Sequence, residues 1–454
     1  MADPAMSVSP YWELTFDADG DVDQGECDRL LREVRQRGIG DLIVFSHGWN
    51  TQRAGATHLY SRFFAPIPKL APQARIGYVG VIWPSMEFPD QPIPDFPHNP
   101  AAVAGPAAAP VLDDDTRQVL LDAFPGHAEL VGQIARMLDQ QHSQDAELEE
   151  FGRLVRTLVE VLPAGPQARF DADTLTGGLP QNEPRMLAAG CTAEVCDQFA
   201  QALEHLASPQ PPGTGEQFTL PNPWKGAREL LRQASYFAMK RRAGTVGERG
   251  LGPAIGRLAE AAPQVRVHLV GHSFGGRLVS FALRGLPEGV HSVKSVTLLQ
   301  GAFSHYAFAS RLPDDARTGG VLQGQQNRVD GPLVCCYSHF DSALGTIYPL
   351  ASRMADDDRS FAAFEIDRVL GDKWGAMGHD GVRAVPGTPA LSLAEALGSP
   401  LPTSGCVNVD ACAVVCHGGA PMGAHSDIVH PELARVVLAA GRIGRPTAAT
   451  ASPV

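Results

Sequence analysis

Apolar residues in this chain form short continuous runs that alternate with longer stretches of helical spacing. A continuous run of about four to eight apolar, β-branched residues predicts a buried strand, whereas apolar positions about three to four residues apart predict a helix. The continuous runs lie at residues 11–16, 41–45, 76–83, 265–270, 293–299, 333–338 and 407–415. Helical spacing separates several of them, as at residues 27–37. This alternation is typical of an α/β protein with a mostly parallel central sheet and helices on both faces.

Residues 84–263 interrupt the alternation. The stretch opens on eight prolines between residues 84 and 110, which predict an irregular loop. Helical spacing without a strand pattern then follows at residues 116–140, 147–161, 195–206 and 227–240. We therefore predict that residues 1–83 and 264–444 form the sheet domain, with residues 84–263 inserted into it as a mainly helical cap. Residues 445–454 are rich in proline, alanine and threonine, which predicts a disordered tail.

Composition narrows the range of partners. The net charge is −13, from 37 basic and 50 acidic residues. Nucleic-acid binding requires a basic face and docking to anionic lipid requires a polybasic patch, so we expect neither partner. No apolar run approaches the roughly 18 residues that suggest an integral membrane segment, and residues 1–16 lack a signal-peptide pattern. The eight cysteines are scattered through the chain, which together with these features predicts reduced thiols and a cytoplasmic location. The sequence leaves the oligomeric state open.

The segment GHSFG at residues 271–275 matches the pattern G-x-S-x-G, between an apolar run and an amphipathic stretch. On a tight strand-to-helix turn the serine hydroxyl is pushed out at the carboxyl end of the sheet, and small flanking residues let neighbouring backbones approach. The turn also directs backbone N–H groups and a helix N-terminus towards one point. We predict that Ser273 is a nucleophile and that the Phe274 N–H is one oxyanion donor. The alternative is a tight turn without chemistry.

A serine nucleophile needs a base and an acid, which in this type of fold follow it in the order serine, acid, histidine. Asp341 comes just after the run 333–338 and is the favoured acid. Its rival, Asp410, lies inside the run 407–415 and is interpreted as a mid-strand polar residue or a bulge.

The base is expected after the last strand and before a final helix. His425 occupies that position, ahead of a predicted helix that starts at Pro431. Three other histidines compete with it. His430 directly precedes Pro431, His417 is close to the strand end, and His379 comes before the last strand.

A second oxyanion donor is expected from the loop after an early strand. Residues 47–50, His-Gly-Trp-Asn, follow the run 41–45, and Gly48 would let the backbone face the site. We predict the Trp49 N–H as the donor and Asn50 as a residue that positions the loop. His47, Gly48, Asn50 and His272 are predicted to contact substrate. The alternative is a plain glycine turn with a buried indole.

Two other chemistries find little support. Cys412, Cys416 and His417 offer metal-ligating atoms, but the absence of a CxxC pair favours a strand and its exit, and we predict no metal. The glycines of residues 250–256 could suggest a dinucleotide site, yet no strand precedes them and Pro253 favours a helix start. We expect no cofactor.

The motifs FSHGWN, VGVIWPS, VHLVGHSFGG, CCYSHFD and GAHSDIVHP occur in one order along the chain, which resembles the α/β-hydrolase superfamily on its lipase- and esterase-like side. The chain is also similar to a group of bacterial and fungal α/β-hydrolase-like proteins with a large insertion after the WPS strand. The motifs cover about half of the chain. The resemblance implies a serine hydrolase that cleaves a carboxylester or thioester through Ser273, Asp341 and His425, with a small acyl ester as substrate. The alternative is a catalytically silent scaffold of this fold that binds a ligand or a protein.

Overall fold

The fold is taken from a computed structural model, which describes most of the chain. The described residues are 6–49, 53–85, 112, 114–141, 144–159, 170, 172–176, 179–180, 190, 192–207, 222–313, 315–344, 375–419 and 423–444. The predicted tail at 445–454 and most of the proline-rich stretch at 84–110 lie outside these residues.

Eight parallel strands form the central sheet. The strands of the described chain, in sequence order, are β1 (Tyr11–Thr15), β2 (Asp41–Ser46), β3 (Ile76–Ile82), β4 (Thr174–Thr176), β5 (Leu179–Pro180), β6 (Arg266–His272), β7 (Val293–Leu299), β8 (Thr318–Gly320), β9 (Pro332–Tyr337), β10 (Ala390–Ser392) and β11 (Gly405–Asp410). The central sheet has the order β1-β3-β2-β6-β7-β9-β11-β10, and every pairing in it is parallel. Because all its strands run the same way, their carboxyl ends meet at one edge.

Helices pack on both faces of this sheet. The helices of the described chain, in sequence order, are α1 (Gln24–Gln36), α2 (Arg53–Phe64), α3 (Ile67–Leu70), α4 (Asp114–Ala123), α5 (Ala128–Gln140), α6 (Asp145–Leu158), α7 (Thr192–Ala207), α8 (Pro223–Thr245), α9 (Gly252–Ala261), α10 (Phe274–Gly285), α11 (Met377–Asp380), α12 (Leu393–Gly398) and α13 (Pro431–Gly441). Short 3₁₀ and π-helical segments occur at Gln325–Arg328 and Val246–Leu251.

Two apolar cores lie on opposite sides of the sheet. Successive residues of a strand point to opposite faces, and on β2 Leu42 and Val44 belong to one core while Ile43 and Phe45 belong to the other. Side chains of α1, α9 and α10 complete the first core, and side chains of α2 and α13 complete the second. The predicted α/β class, with a mostly parallel sheet covered on both faces and added helices, is confirmed.

Several predicted boundaries were wrong for local reasons. The helix expected at 116–140 is two helices, α4 and α5, because Pro125 and Gly126 separate them. The run 407–415 ends as a strand at Asp410 and continues as a turn. Strands β4 and β5 fall inside the stretch expected to be helical, where they join β8 in a small antiparallel sheet.

The end of the insertion packs closely on α10. Helix α8 continues through the π-helical turn Val246–Leu251 into α9. A Cβ atom on Gly247 would lie 2.2 Å from the Leu278 carbonyl oxygen, and one on Gly252 would lie 2.6 Å from that of Ala282. Gly252, one of the glycines of residues 250–256 that could suggest a dinucleotide site, therefore allows helix-to-helix contact. Among the described helices, none is both long and apolar enough to cross a membrane.

Candidate active site

Three side chains from separate loops meet at the carboxyl edge of the sheet. Ser273 follows β6, Asp341 follows β9, and His425 lies before α13. The Nε2 atom of His425 is 2.9 Å from the Ser273 Oγ, and its Nδ1 is 2.8 Å from the Asp341 Oδ2. The exposed fractions of the three residues are 5%, 0% and 7% for the serine, the aspartate and the histidine. The structure thus brings together the three residues named as nucleophile, acid and base.

The serine occupies a strained turn. Ser273 has φ +54° and ψ −122°, a region that side-chain-bearing residues rarely adopt. Its flanking glycines are required by close backbone approaches. A Cβ on Gly271 would lie 2.3 Å from the Gly275 carbonyl oxygen, and one on Gly275 would lie 2.0 Å from that of Ser46. Backbone strain of this kind persists only where the surrounding structure enforces it, so the G-x-S-x-G spacing holds the serine at the start of α10.

Hydrogen bonds fix the acid and the base. The Leu344 N–H donates to Asp341 Oδ1 at 3.0 Å, which leaves Oδ2 for the imidazole. The Ala424 N–H donates to the Phe340 carbonyl at 2.8 Å and ties the histidine loop to the aspartate loop. A carboxylate at Nδ1 favours the tautomer with its proton on that nitrogen, so Nε2 can accept the Ser273 hydroxyl proton.

The competing residues lie elsewhere. Asp410 is the last residue of β11 rather than a mid-strand residue, and it accepts the Cys412 N–H at 2.9 Å. The imidazoles of His430 and His379 are 2.7 Å from Asp427 and 2.9 Å from Asp380, respectively. The fourth competitor is in contact with solvent, since the His417 side chain is 82% exposed.

The loop after β2 lies directly against the serine. A Cβ on Gly48 would be 2.7 Å from the Ser273 Cβ and 3.2 Å from its Oγ, so a side chain cannot be accommodated there. Trp49 is next in this loop, and Phe274 is the first residue of α10, where helical N–H groups have no intrahelical partner. Both predicted oxyanion residues therefore flank the serine. Asn50 lies outside the described residues.

Two buried histidines support these loops from inside. His47 Nδ1 donates to the Gly48 carbonyl at 2.8 Å, and its ring stacks on Trp83. His272 Nε2 donates to the His425 carbonyl at 2.9 Å. Burial lowers the pKa of His47 to about 4, and burial together with the nearby His425 lowers the pKa of His272 to about 3. Both rings are therefore neutral at pH 7 and add no positive charge beside His425.

One aromatic residue of the insertion lies beside the candidate active site, although sequence patterns did not identify it as a site residue. Tyr236 on α8 packs edge-on against Trp49 with 5.4 Å between ring centroids, and its ring lies 4.6 Å from that of Phe274. Helical spacing placed residue 236 on a helix but could not show that it reaches the site across about 40 residues of chain. The insertion thus contributes an apolar wall beside the predicted oxyanion residues.

A buried ionic network ties the insertion to the helix that follows the serine. Arg277 on α10 is fully buried and forms an ion pair with Asp173, whose other oxygen is 2.8 Å from the Lys240 Nζ. Arg277 also donates to the Phe170 carbonyl at 2.7 Å. Because breaking a buried pair leaves an uncompensated charge, this network holds the insertion against α10.

Comparison with known proteins gives no independent assignment. Neither a family model, nor a curated protein, nor a solved structure matches the chain. The geometry alone is chemically informative, because a hydroxyl paired with an imidazole and a carboxylate can be deprotonated as it attacks an electrophilic carbon.

Proposed function

We propose that the chain is a serine hydrolase that cleaves a carboxylester or thioester through a covalent acyl-enzyme. One observation carries the proposal. The imidazole of His425 lies 2.9 Å from the Oγ of Ser273 and 2.8 Å from the carboxylate of Asp341, and Ser273 occupies a strained strand-to-helix turn. The same geometry supports membership of the α/β-hydrolase superfamily, which the motif order suggests.

The first half of the reaction acylates the serine. Ser273 Oγ attacks the ester carbonyl carbon as His425 Nε2 takes its proton, and the Nδ1–H of the resulting imidazolium remains hydrogen-bonded to Asp341. The carbonyl oxygen becomes an oxyanion, for which we propose the N–H groups of Phe274 and Trp49 as donors. Collapse of this intermediate breaks the ester bond, and His425 returns the proton to the leaving alcohol or thiol.

The second half releases the acid. Water attacks the acyl-Ser273 carbonyl, His425 takes a proton from that water, and the same N–H groups bind the second oxyanion. Collapse restores the serine hydroxyl and frees the carboxylic acid.

An apolar acyl group suits the surroundings of the serine. The rings of Tyr236, Trp49 and Phe274 form a contiguous aromatic cluster there. We propose that α8 acts as part of a cap that contacts the acyl portion of the substrate. The described cysteines are free, which supports the expected cytoplasmic location.

Covalent labelling tests the proposal most directly. A fluorophosphonate probe should label the full-length protein at one site, and Ser273→Ala should remove the label. A screen of p-nitrophenyl esters of increasing chain length should show turnover that the same variant lacks. Labelling that persists in Ser273→Ala would contradict the assignment. Failure of the wild-type protein to be labelled or to turn over any ester would favour the catalytically silent scaffold.

A further inference from the structure

A second cluster of chemically active side chains lies on the loop that carries His425. Cys416 Sγ, His417 Nδ1 and a carboxylate oxygen of Asp427 all lie within 4.8 Å of one another. Cys416 and His417 follow the turn after β11, and Asp427 is two residues beyond His425. The cluster therefore connects the segment after β11 with the segment that contains His425.

Two of the three donor-atom distances match those in a tetrahedral metal site. The Cys416 Sγ is 3.4 Å from the His417 Nδ1, and that nitrogen is 3.4 Å from the Asp427 Oδ2. With the usual zinc–sulfur, zinc–nitrogen and zinc–oxygen bond lengths, neighbouring ligands of a tetrahedral Zn²⁺ are about 3.3–3.6 Å apart. A nitrogen-to-oxygen distance of 3.4 Å is also longer than a good hydrogen bond. These two distances thus suit neighbouring ligands of one ion, and the third pair, the sulfur and the carboxylate, lies within 4.8 Å.

The carboxylate of this cluster is held in place by hydrogen bonds. The N–H groups of Cys416 and His417 donate to Asp427 Oδ2 at 3.0 and 2.8 Å, and His430 Nε2 donates to Oδ1 at 2.7 Å. A carboxylate oriented by such partners is the usual support of a protein metal site.

We propose that Cys416, His417 and Asp427 form a binding site for Zn²⁺, with a water molecule as the fourth ligand and His430 as an outer partner of the aspartate. Thiolate, imidazole and carboxylate together suit this cation. Cys412, which the sequence grouped with Cys416 and His417, is directed elsewhere, since its Sγ lies 3.3 Å from the His339 N–H nitrogen. A bound ion would link the segment after β11 to the segment that carries His425. The inference does not depend on hydrolase activity.

Metal titration of the full-length, untagged protein tests the site. The metal-free protein should bind one Zn²⁺ in competition with a chromophoric chelator, and Co²⁺ should give a thiolate-to-cobalt charge-transfer band. Loss of an outer partner alone lowers metal affinity about 10–100-fold. We therefore expect Cys416→Ser and His417→Gln each to lower it by more than about 100-fold, and His430→Gln by about 10-fold.

Two matched variants control for unspecific binding. Cys412→Ser removes a neighbouring thiol, and His291→Gln removes an exposed imidazole on another loop. Both should leave the zinc affinity and the cobalt band unchanged. Because Cys416 and His417 are exposed, their variants should keep the wild-type circular dichroism spectrum. Absence of a thiolate-to-cobalt band, or zinc binding that survives both Cys416→Ser and His417→Gln, would overturn the proposal.

Discussion

Two serine–histidine–aspartate sets lie at opposite edges of the same sheet. In the first, His425 joins Ser273 and Asp341 at the carboxyl edge. In the second, His268 lies 2.9 Å from the Ser295 Oγ and 2.9 Å from the Asp41 Oδ1. Asp41 begins β2, and the other two residues are in the first halves of β6 and β7, so the second set is near the amino ends of the strands. Interatomic distances alone do not distinguish the two.

Their surroundings do distinguish them. Ser295 lies within β7, next to a shift in its pairing register with β6, and is fully buried, whereas Ser273 lies on a strained turn beside a helix N-terminus and the Gly48 loop. A Cβ on Gly441, at the end of α13, would lie 2.6 Å from His268 Nδ1, so this helix seals the second set. The comparison teaches that the strained turn and the helix N-terminus beside Ser273, rather than the two hydrogen bonds of each set, distinguish the candidate active site. We interpret the second set as a structural clamp between strands.

The largest expected difference in turnover is between alanine substitutions at the two serines. Ser273→Ala should lower ester turnover about 10⁴-fold or more, because Ser273 carries the hydroxyl of the strand-to-helix turn at residues 271–275 and its neighbours there have none. Ser295→Ala should leave turnover within about two-fold and lower the free energy of unfolding by about 1–2 kcal/mol, since it removes one buried hydrogen bond. Steady-state kinetics and urea denaturation of both variants measure this contrast. If Ser295→Ala lost turnover while remaining folded, the distinction between the sets would fail.

The two aspartates should separate in the same way. Asp341→Asn should reduce kcat about 10⁴-fold, because an amide no longer favours the imidazole tautomer that accepts the serine proton. Asp41→Asn should instead reduce stability by about 2 kcal/mol, since Asp41 also pairs with Arg266 at 3.2 Å. The kcat values and the urea midpoints provide the test, and equal losses of kcat would contradict it.

The glycines that cover the two histidine sets give a smaller contrast. Gly48→Ala should lower kcat/KM about 10²–10³-fold, because its methyl group would displace the loop that carries the Trp49 N–H. Gly441→Ala should leave kcat/KM nearly unchanged and cost about 1–3 kcal/mol of stability through overpacking against His268. A full-activity Gly48→Ala variant would show that the loop after β2 does not take part.

The last predicted effect is a loss of folding stability as the pH falls. The folded-state pKa values of His47 and His272 lie near 4 and 3, and burial also lowers that of His268. The unfolded chain therefore binds protons first as the pH falls below about 6.5, and stability decreases from there towards pH 4 by up to about 1.4 kcal/mol per pH unit and imidazole. Urea denaturation at pH 7 and pH 5 measures the loss. Both His272→Gln and His268→Gln should make it shallower; an unchanged slope in either variant would contradict the assignment of a buried, neutral ring there.

Local patterns predicted the parts of the molecule that depend on local chain properties. Continuous apolar runs located seven of the strands, and the order of the motifs along the chain placed Ser273, Asp341 and His425, which the structure brings together. Edge strand β10 went unpredicted because it has three residues, two of them exposed. Strands β4 and β8 were missed as well, since pairing between residues 174 and 320 leaves no trace in either short segment.

Long-range partners set the limit of sequence analysis here. His268 and Asp41 are 227 positions apart, and nothing in either segment indicates that their side chains meet. The same holds for Tyr236, whose contacts with Trp49 and Phe274 depend on how the insertion returns to the sheet. Cysteine spacing suggests Cys412 as the neighbour of Cys416, whereas the residue that Cys416 contacts is Asp427, eleven positions further along the chain.

The close packing of α10 on the π-helical turn determines which part of the insertion is exchangeable. Gly285 on α10 meets the same turn, where a Cβ would lie 2.0 Å from the Glu248 carbonyl oxygen. Transplanting another cap in place of residues 84–263 would strip one side of the helix behind the serine. A graft that ends before Asn222 would preserve that side. Such a graft would also replace Asp173, so it would have to supply a new carboxylate for Arg277, or Arg277 itself would have to be replaced by an apolar residue. The buried guanidinium group of Arg277 therefore limits which insertions this fold can accept.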